Sequence, residues 1–143
     1  MARRGAMARR GDELMEFSGS ISTLEELHAL SLMVHEVASD WGISEKVLFE
    51  VSLIVEEFCS NSVKYGGIPV GVGIKLADSV ITIMITDSGK PFDPTEVAVP
   101  DVTLPLEERK AGGLGIHFVN HFADTIVYSR ENGRNILKIE KKI

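Results

Sequence analysis

Val80-Ile81-Thr82-Ile83-Met84-Ile85-Thr86 is an almost unbroken apolar run with turn residues on both sides, and it reads as a buried strand. Upstream, Val70 to Leu76 alternates apolar residues with Gly71, Gly73 and Lys75, which is the period of a strand. Ala77-Asp78-Ser79 turns the chain from one run into the other. A second pair, Thr125 to Ser129 and Asn135 to Glu140, is joined around Asn132-Gly133, a hairpin signal. Hairpin strands pair antiparallel, which excludes a doubly wound sheet. The economical packing is α+β: a two-layer α/β sandwich with a mixed, mostly antiparallel sheet and helices on one face.

The helices are marked by caps and periodicity. Ser22-Thr23-Leu24-Glu25 reads as a capping box, followed by Leu27, Leu30, Val34, Val37 and Trp41 at spacings of three and four, with an end near Gly42. Ser44 caps a second helix, with Ile43 and Leu48 placed as a hydrophobic staple. Val47, Val51, Ile54, Val55 and Phe58 make that helix core, and it ends near Gly66-Gly67. Leu14 to Phe17 is expected to be a short first strand. Gly112-Gly113-Leu114-Gly115 opens a third helix with Ile116, Val119 and Phe122 inward.

With 143 residues, 44% hydrophobic and 25% charged, the composition suits one globular domain. The expected division is a disordered basic tail over 1–12, carrying Arg3, Arg4, Arg9 and Arg10, and a single domain over 13–143. No apolar stretch suffices to span a bilayer, the basic start lacks the apolar segment of a signal peptide, and a lone Cys59 fits a reducing compartment. A cytoplasmic location without membrane contact is expected. A net charge of −6 disfavours nucleic acid as a direct partner.

Three segments can carry chemistry. Asp87 ends the apolar strand and is followed by Ser88 and Gly89. An ionised Asp accepts a hydrogen bond from the exocyclic amine of a nucleotide base, and Gly leaves room for a ring. Its ordinary reading is an Asp-Ser-Gly turn. Glu57 and Asn61 are four apart on the second helix and share a face. Asn61 offers an oxygen to a hard cation such as magnesium, and Glu57 suits a general base; otherwise the two form a solvated helix face. Gly112 to Gly115 at a helix start offers free amides to phosphate, or is a simple turn. Arg109 and Lys110 can reach a terminal phosphate or are exposed loop charges. Phosphate-loop and dinucleotide glycine motifs are absent. His117 and His121 lack a third metal ligand, and Cys59 reads as a packed thiol.

Together, in this order, the segments resemble the gyrase, chaperone, histidine-kinase and mismatch-repair ATPase superfamily with the Bergerat ATP-binding fold. Glu57-x-x-x-Asn61 resembles its asparagine box, Asp87-x-Gly89 its first glycine box and Gly113-x-Gly115 its second. Pro91-Phe92-Asp93-Pro94 and Gly112-Gly113-Leu114-Gly115-Ile116 are similar to the anti-sigma factors that are serine-protein kinases. The resemblance implies a histidine-kinase-like ATPase fold that binds ATP and Mg2+. In it, Asp87 would take the adenine amine with Gly89 beneath the ring, and Asn61 would hold magnesium. Glu57 would act as base, and Gly113, Leu114 and Gly115 would contact the phosphates. It further implies phosphorylation of an anti-sigma-factor antagonist of the sulfate-transporter and antagonist type. A sigma factor as a second partner and a homodimer are also implied. The basic tail departs from the pattern, and nothing in Glu107-Glu108-Arg109-Lys110 singles out one ligand for the terminal phosphate between Arg109 and Lys110. A binding module that uses ATP only as a conformational ligand, and a detached histidine-kinase catalytic domain, are the alternative readings.

Overall fold

A computed structural model of the chain describes residues 14–65, 67–96 and 113–143. The elements run β1 (Met15–Ile21), α1 (Leu24–Ser39), α2 (Glu45–Lys64), β2 (Val70–Ala77), β3 (Val80–Asp87), a 3-10 turn (Pro94–Glu96), α3 (Gly113–Asn120), β4 (Thr125–Glu131) and β5 (Arg134–Lys142). The basic tail and the stretch holding Arg109, Lys110 and Gly112 lie outside the described residues.

The five strands lie in the order β1-β2-β3-β5-β4. Every neighbouring pair is antiparallel, so among the described residues the sheet is wholly antiparallel where a mixed, mostly antiparallel one was expected. Both expected hairpins form. Asp78 (φ 52) with Ser79 (φ 61), and Asn132 (φ 50) with Gly133 (φ 74), occupy the left-handed region that two-residue hairpin turns require.

Strand alternation then sorts the side chains. Phe17, Val72, Ile74, Ile83, Ile85, Leu137 and Ile139 point to one face and join Leu30, Val34, Ile54, Val55 and Phe58 of α1 and α2 in a single core. Glu16, Lys75 and Lys138 alternate onto the other face and are exposed. Burying each large apolar side chain contributes on the order of 1.5–3 kcal/mol, so the register that keeps Ile83 opposite both Ile74 and Ile139 is strongly fixed.

Ser44 caps α2 as expected, accepting from the Val47 amide at 3.3 Å. The first cap sits one residue later than the sequence suggests. Thr23, not Ser22, accepts from the Glu26 amide at 3.0 Å, and the Glu26 carboxylate takes the Ser22 amide at 2.9 Å. Ile21 still pairs with Val70, so Ser22 is leaving the strand and Thr23 is the last extended residue before the helix. Lys141 on β5 donates to the Phe122 carbonyl at 2.7 Å and pairs with Glu50 of α2 at 3.5 Å, which ties the exit of α3 to the core. Among the described residues no helix is long and apolar enough to cross a membrane.

Candidate functional site

Asp87 leaves β3 at its buried end, 8% exposed. A carboxylate in such a place needs donors, and three reach it. Oδ1 accepts from the Gly89 amide at 2.9 Å and from Asn135 Nδ2 at 2.8 Å; Oδ2 accepts from Ser62 Oγ at 2.8 Å. Ser62 follows Asn61 on α2, so one helical turn carries both residues into the same hollow. A Cβ on Gly67 would lie 2.6 Å from Asp87 Cγ, and only glycine permits that approach. Gly89 is packed closely as well. A Cβ there would meet Gly67 Cα at 3.0 Å and Asp87 Oδ1 at 3.2 Å, so the space it leaves is taken up by backbone and carboxylate.

Beside Asp87 lies a small cavity of about 30 Å³, walled by Phe58, Ile85 and Leu137 and edged by Asn61, Ser62 and Asn135. That volume holds roughly two waters. Phe92 also lines the cavity, and its ring meets Tyr65 at a centroid distance of 5.4 Å. Tyr65 packs on Phe92 through this ring contact while remaining 59% exposed.

Asn61 is 5% exposed, and among the described residues its buried Nδ2 finds no hydrogen-bond partner. Such an orphan costs about 1–3 kcal/mol, which marks a position shaped for something besides the packed protein. Among the described residues no three His, Cys, Asp or Glu side chains gather as a metal cluster. A magnesium ion using the Asn61 amide oxygen would draw its other oxygens from phosphate and water, the usual arrangement for that ion. Exchanging the ends of the Asn61 amide puts its oxygen at the unpartnered Nδ2 position, an arrangement that suits such an ion.

Glu57 lies one turn before Asn61, half-buried. A Cβ on Gly115 would fall onto its carboxylate, 2.6 Å from Oε2. The acid thus rests against the first turn of α3, where the backbone of Gly113 and Leu114 opens the helix. Burial raises the Glu57 pKa above the ordinary glutamate value, and the positive charge of Lys64 partly opposes the rise. Asn61 and Asp87 thus line one small cavity, while Glu57, one turn earlier on α2, faces Gly115.

Cys59 is fully buried on the core side of α2. Burial, and then the negative charge of Asp87, push its thiol up to about 12. A thiol so protonated is inert. Iodoacetamide is expected to leave the folded protein unlabelled by mass spectrometry, with one adduct appearing in denaturant.

Four contributors escape the sequence reading: Ser62, Gly67, Asn135 and Arg130. Asn135 gave a faint signal, because Asn135, Leu137 and Ile139 alternate onto one side of β5 and a polar residue at the end of a buried series needs partners. Arg130 looks like an ordinary hairpin charge, yet its Nη1 donates to the Gly89 carbonyl at 2.6 Å.

A family model described as histidine kinase-like ATPase domain matches residues 21–141. The chain is 26% identical over 126 residues to serine/threonine-protein kinase BtrW of Bordetella bronchiseptica, covering 84% of this chain and 87% of that protein. It is 25% identical over 116 residues to serine-protein kinase RsbW of Halalkalibacterium halodurans, covering 76% and 72%. Among solved structures, histidine kinase AdeS of Acinetobacter baumannii aligns with a TM-score of 0.49 at 12% identity, over 87% of this chain and 66% of that one. Because the family model spans residues 21–141, most of the 143-residue chain, the protein belongs to the histidine kinase-like ATPase domain family.

Proposed function

We propose that the chain is an ATP-dependent serine/threonine protein kinase and an anti-sigma factor, acting on an anti-sigma-factor antagonist in partner switching. The observation that carries this reading is the Glu57 carboxylate lying against the first turn of α3, one helical turn from Asn61, which lines the cavity beside Asp87. A general base and a phosphate-binding helix start are then contiguous, as transfer to a hydroxyl requires. The names of the relatives, serine/threonine-protein kinase and serine-protein kinase, support the same class.

In this reading Asp87 accepts a hydrogen bond from the adenine amine, and Gly89 lies beside that carboxylate under the base. The backbone of Gly113, Leu114 and Gly115 faces the phosphates, favoured by the helix dipole. Arg109 and Lys110 are the cations assigned to the terminal phosphate. Asn61 would hold magnesium, which when bound would neutralise charge on the phosphate oxygens. The acceptor hydroxyl oxygen forms a bond to the γ-phosphorus as the bond to the bridging oxygen of the ADP leaving group breaks. The hydroxyl proton passes to Glu57, whose raised pKa makes it a stronger base than an exposed glutamate.

The protein, labelled ATP, magnesium and candidate antagonist domains should yield label on a serine or threonine of the antagonist, stable to acid. Acid-labile phosphohistidine would replace the reading with a histidine-kinase catalytic domain. Nucleotide-dependent binding of a sigma factor without transfer to any antagonist would replace it with a regulatory binding module.

A further inference from the structure

Asn135 holds the centre of the base-binding end of the site. It is 7% exposed on β5, and it uses both ends of its amide. Nδ2 donates to Asp87 Oδ1 and to the Lys90 carbonyl, each at 2.8 Å. Oδ1 accepts from the Tyr128 hydroxyl, from Arg130 Nη1 at 3.1 Å and from the Phe92 amide at 3.4 Å. Those acceptor contacts fix the orientation of the amide, because a flipped amide would set its N–H groups against Arg130 Nη1 and the Phe92 amide, which can only donate.

The consequence falls on Asp87. A carboxylate oxygen has about two lone-pair directions. With the Gly89 amide and Asn135 Nδ2 both on Oδ1, that oxygen is full. Among the described residues Oδ2 accepts only from Ser62 Oγ and keeps one direction open. We infer that Asn135 is a positioning residue for nucleotide specificity: it locks the Asp87 carboxylate so that Oδ2 alone is presented to an exocyclic amine. It also ties that oxygen to the backbone at Lys90 and Phe92. This inference rests on the adenine-nucleotide reading above.

The test compares two ligands by calorimetry: ADP, and the diphosphate of purine riboside, which lacks the 6-amino group. The wild-type protein should bind ADP at least tenfold more tightly. Asn135→Ala should reduce that ratio severalfold, weakening ADP more than the analogue, because a carboxylate free to turn no longer meets the amine. Asn135→Asp keeps the acceptors facing Tyr128, Arg130 and Phe92 but sets a carboxylate against Asp87, and should reduce the ratio further. Asn135→Ser, which can still donate one hydrogen bond, should restore part of it. Equal weakening of both ligands in every folded variant would reduce Asn135 to a structural role and overturn the inference. A wild-type ratio near one would instead overturn the adenine reading itself. If Asn135→Ala does not fold, the Ser and Asp variants decide the matter.

Discussion

Glu57→Gln is expected to cut phosphotransfer to the antagonist by about 10²–10⁴-fold, the range for loss of a general base, while ATP binding changes less than about threefold. Glutamine keeps the shape of the side chain against Gly115, so the first turn of α3 is not disturbed, and what disappears is the proton acceptor. The pH profile gives the sharper signature. In the wild-type protein Glu57 must be ionised to accept the proton, so transfer rises with pH through its pKa and then levels. Burial raises that pKa, which sets the rising limb above the ordinary glutamate range. Lys64 opposes the rise, so Lys64→Met should move the limb to still higher pH. Glu57→Gln should abolish it. Single-turnover rates across pH, with ATP affinity measured in parallel, check both statements. A variant that transfers phosphate at the wild-type rate removes Glu57 from the chemistry.

What the sequence reveals about this site follows from how local each relation is. Glu57 and Asn61 are legible because a helix fixes the relation between positions four apart, and the periodicity of α2 is strong. Asp87 is legible because an apolar strand has a definite end. The approach of Gly115 to Glu57 spans more than fifty residues of chain, and only the order of motifs suggests it. Asn135 is harder still. Its contact with Asp87 exists because β5, not β4, lies beside β3. Hairpin patterns fix that β4 and β5 pair, and say nothing about which of them takes the inner place. Gly67 is hidden for a similar reason: a glycine after a helix looks like a stop signal, whereas its Cα lies against the Asp87 carboxylate. The shifted cap of α1 is a smaller case. Ser22 and Thr23 are both competent caps, and the pairing of Ile21 with Val70 selects between them.

Asp87→Asn should lose adenine nucleotide affinity while retaining the fold, for a reason visible in the donor count. Oδ1 faces two groups that can only donate, the Gly89 amide and Asn135 Nδ2. Oδ2 faces Ser62 Oγ, a hydroxyl that can turn and accept instead. The new side chain therefore places its oxygen at the Oδ1 position and its NH₂ at the Oδ2 position, keeping all three contacts. The cost to folding is small, and the unfolding midpoint should shift by only a few degrees. The open direction at Oδ2, however, now presents an N–H to the incoming amine. Loss of a charge-assisted hydrogen bond together with a donor left facing a donor costs about 3–4 kcal/mol, or roughly 10²–10³-fold in Kd for ADP. The same N–H suits a carbonyl, so inosine diphosphate, with an oxygen where adenine has its amine, should bind the variant better than ADP does, reversing the wild-type preference. Calorimetry with the two diphosphates, alongside thermal unfolding, separates this outcome from general damage to the site. Unchanged ADP affinity in a folded Asp87→Asn protein would mean that the carboxylate does not receive the base.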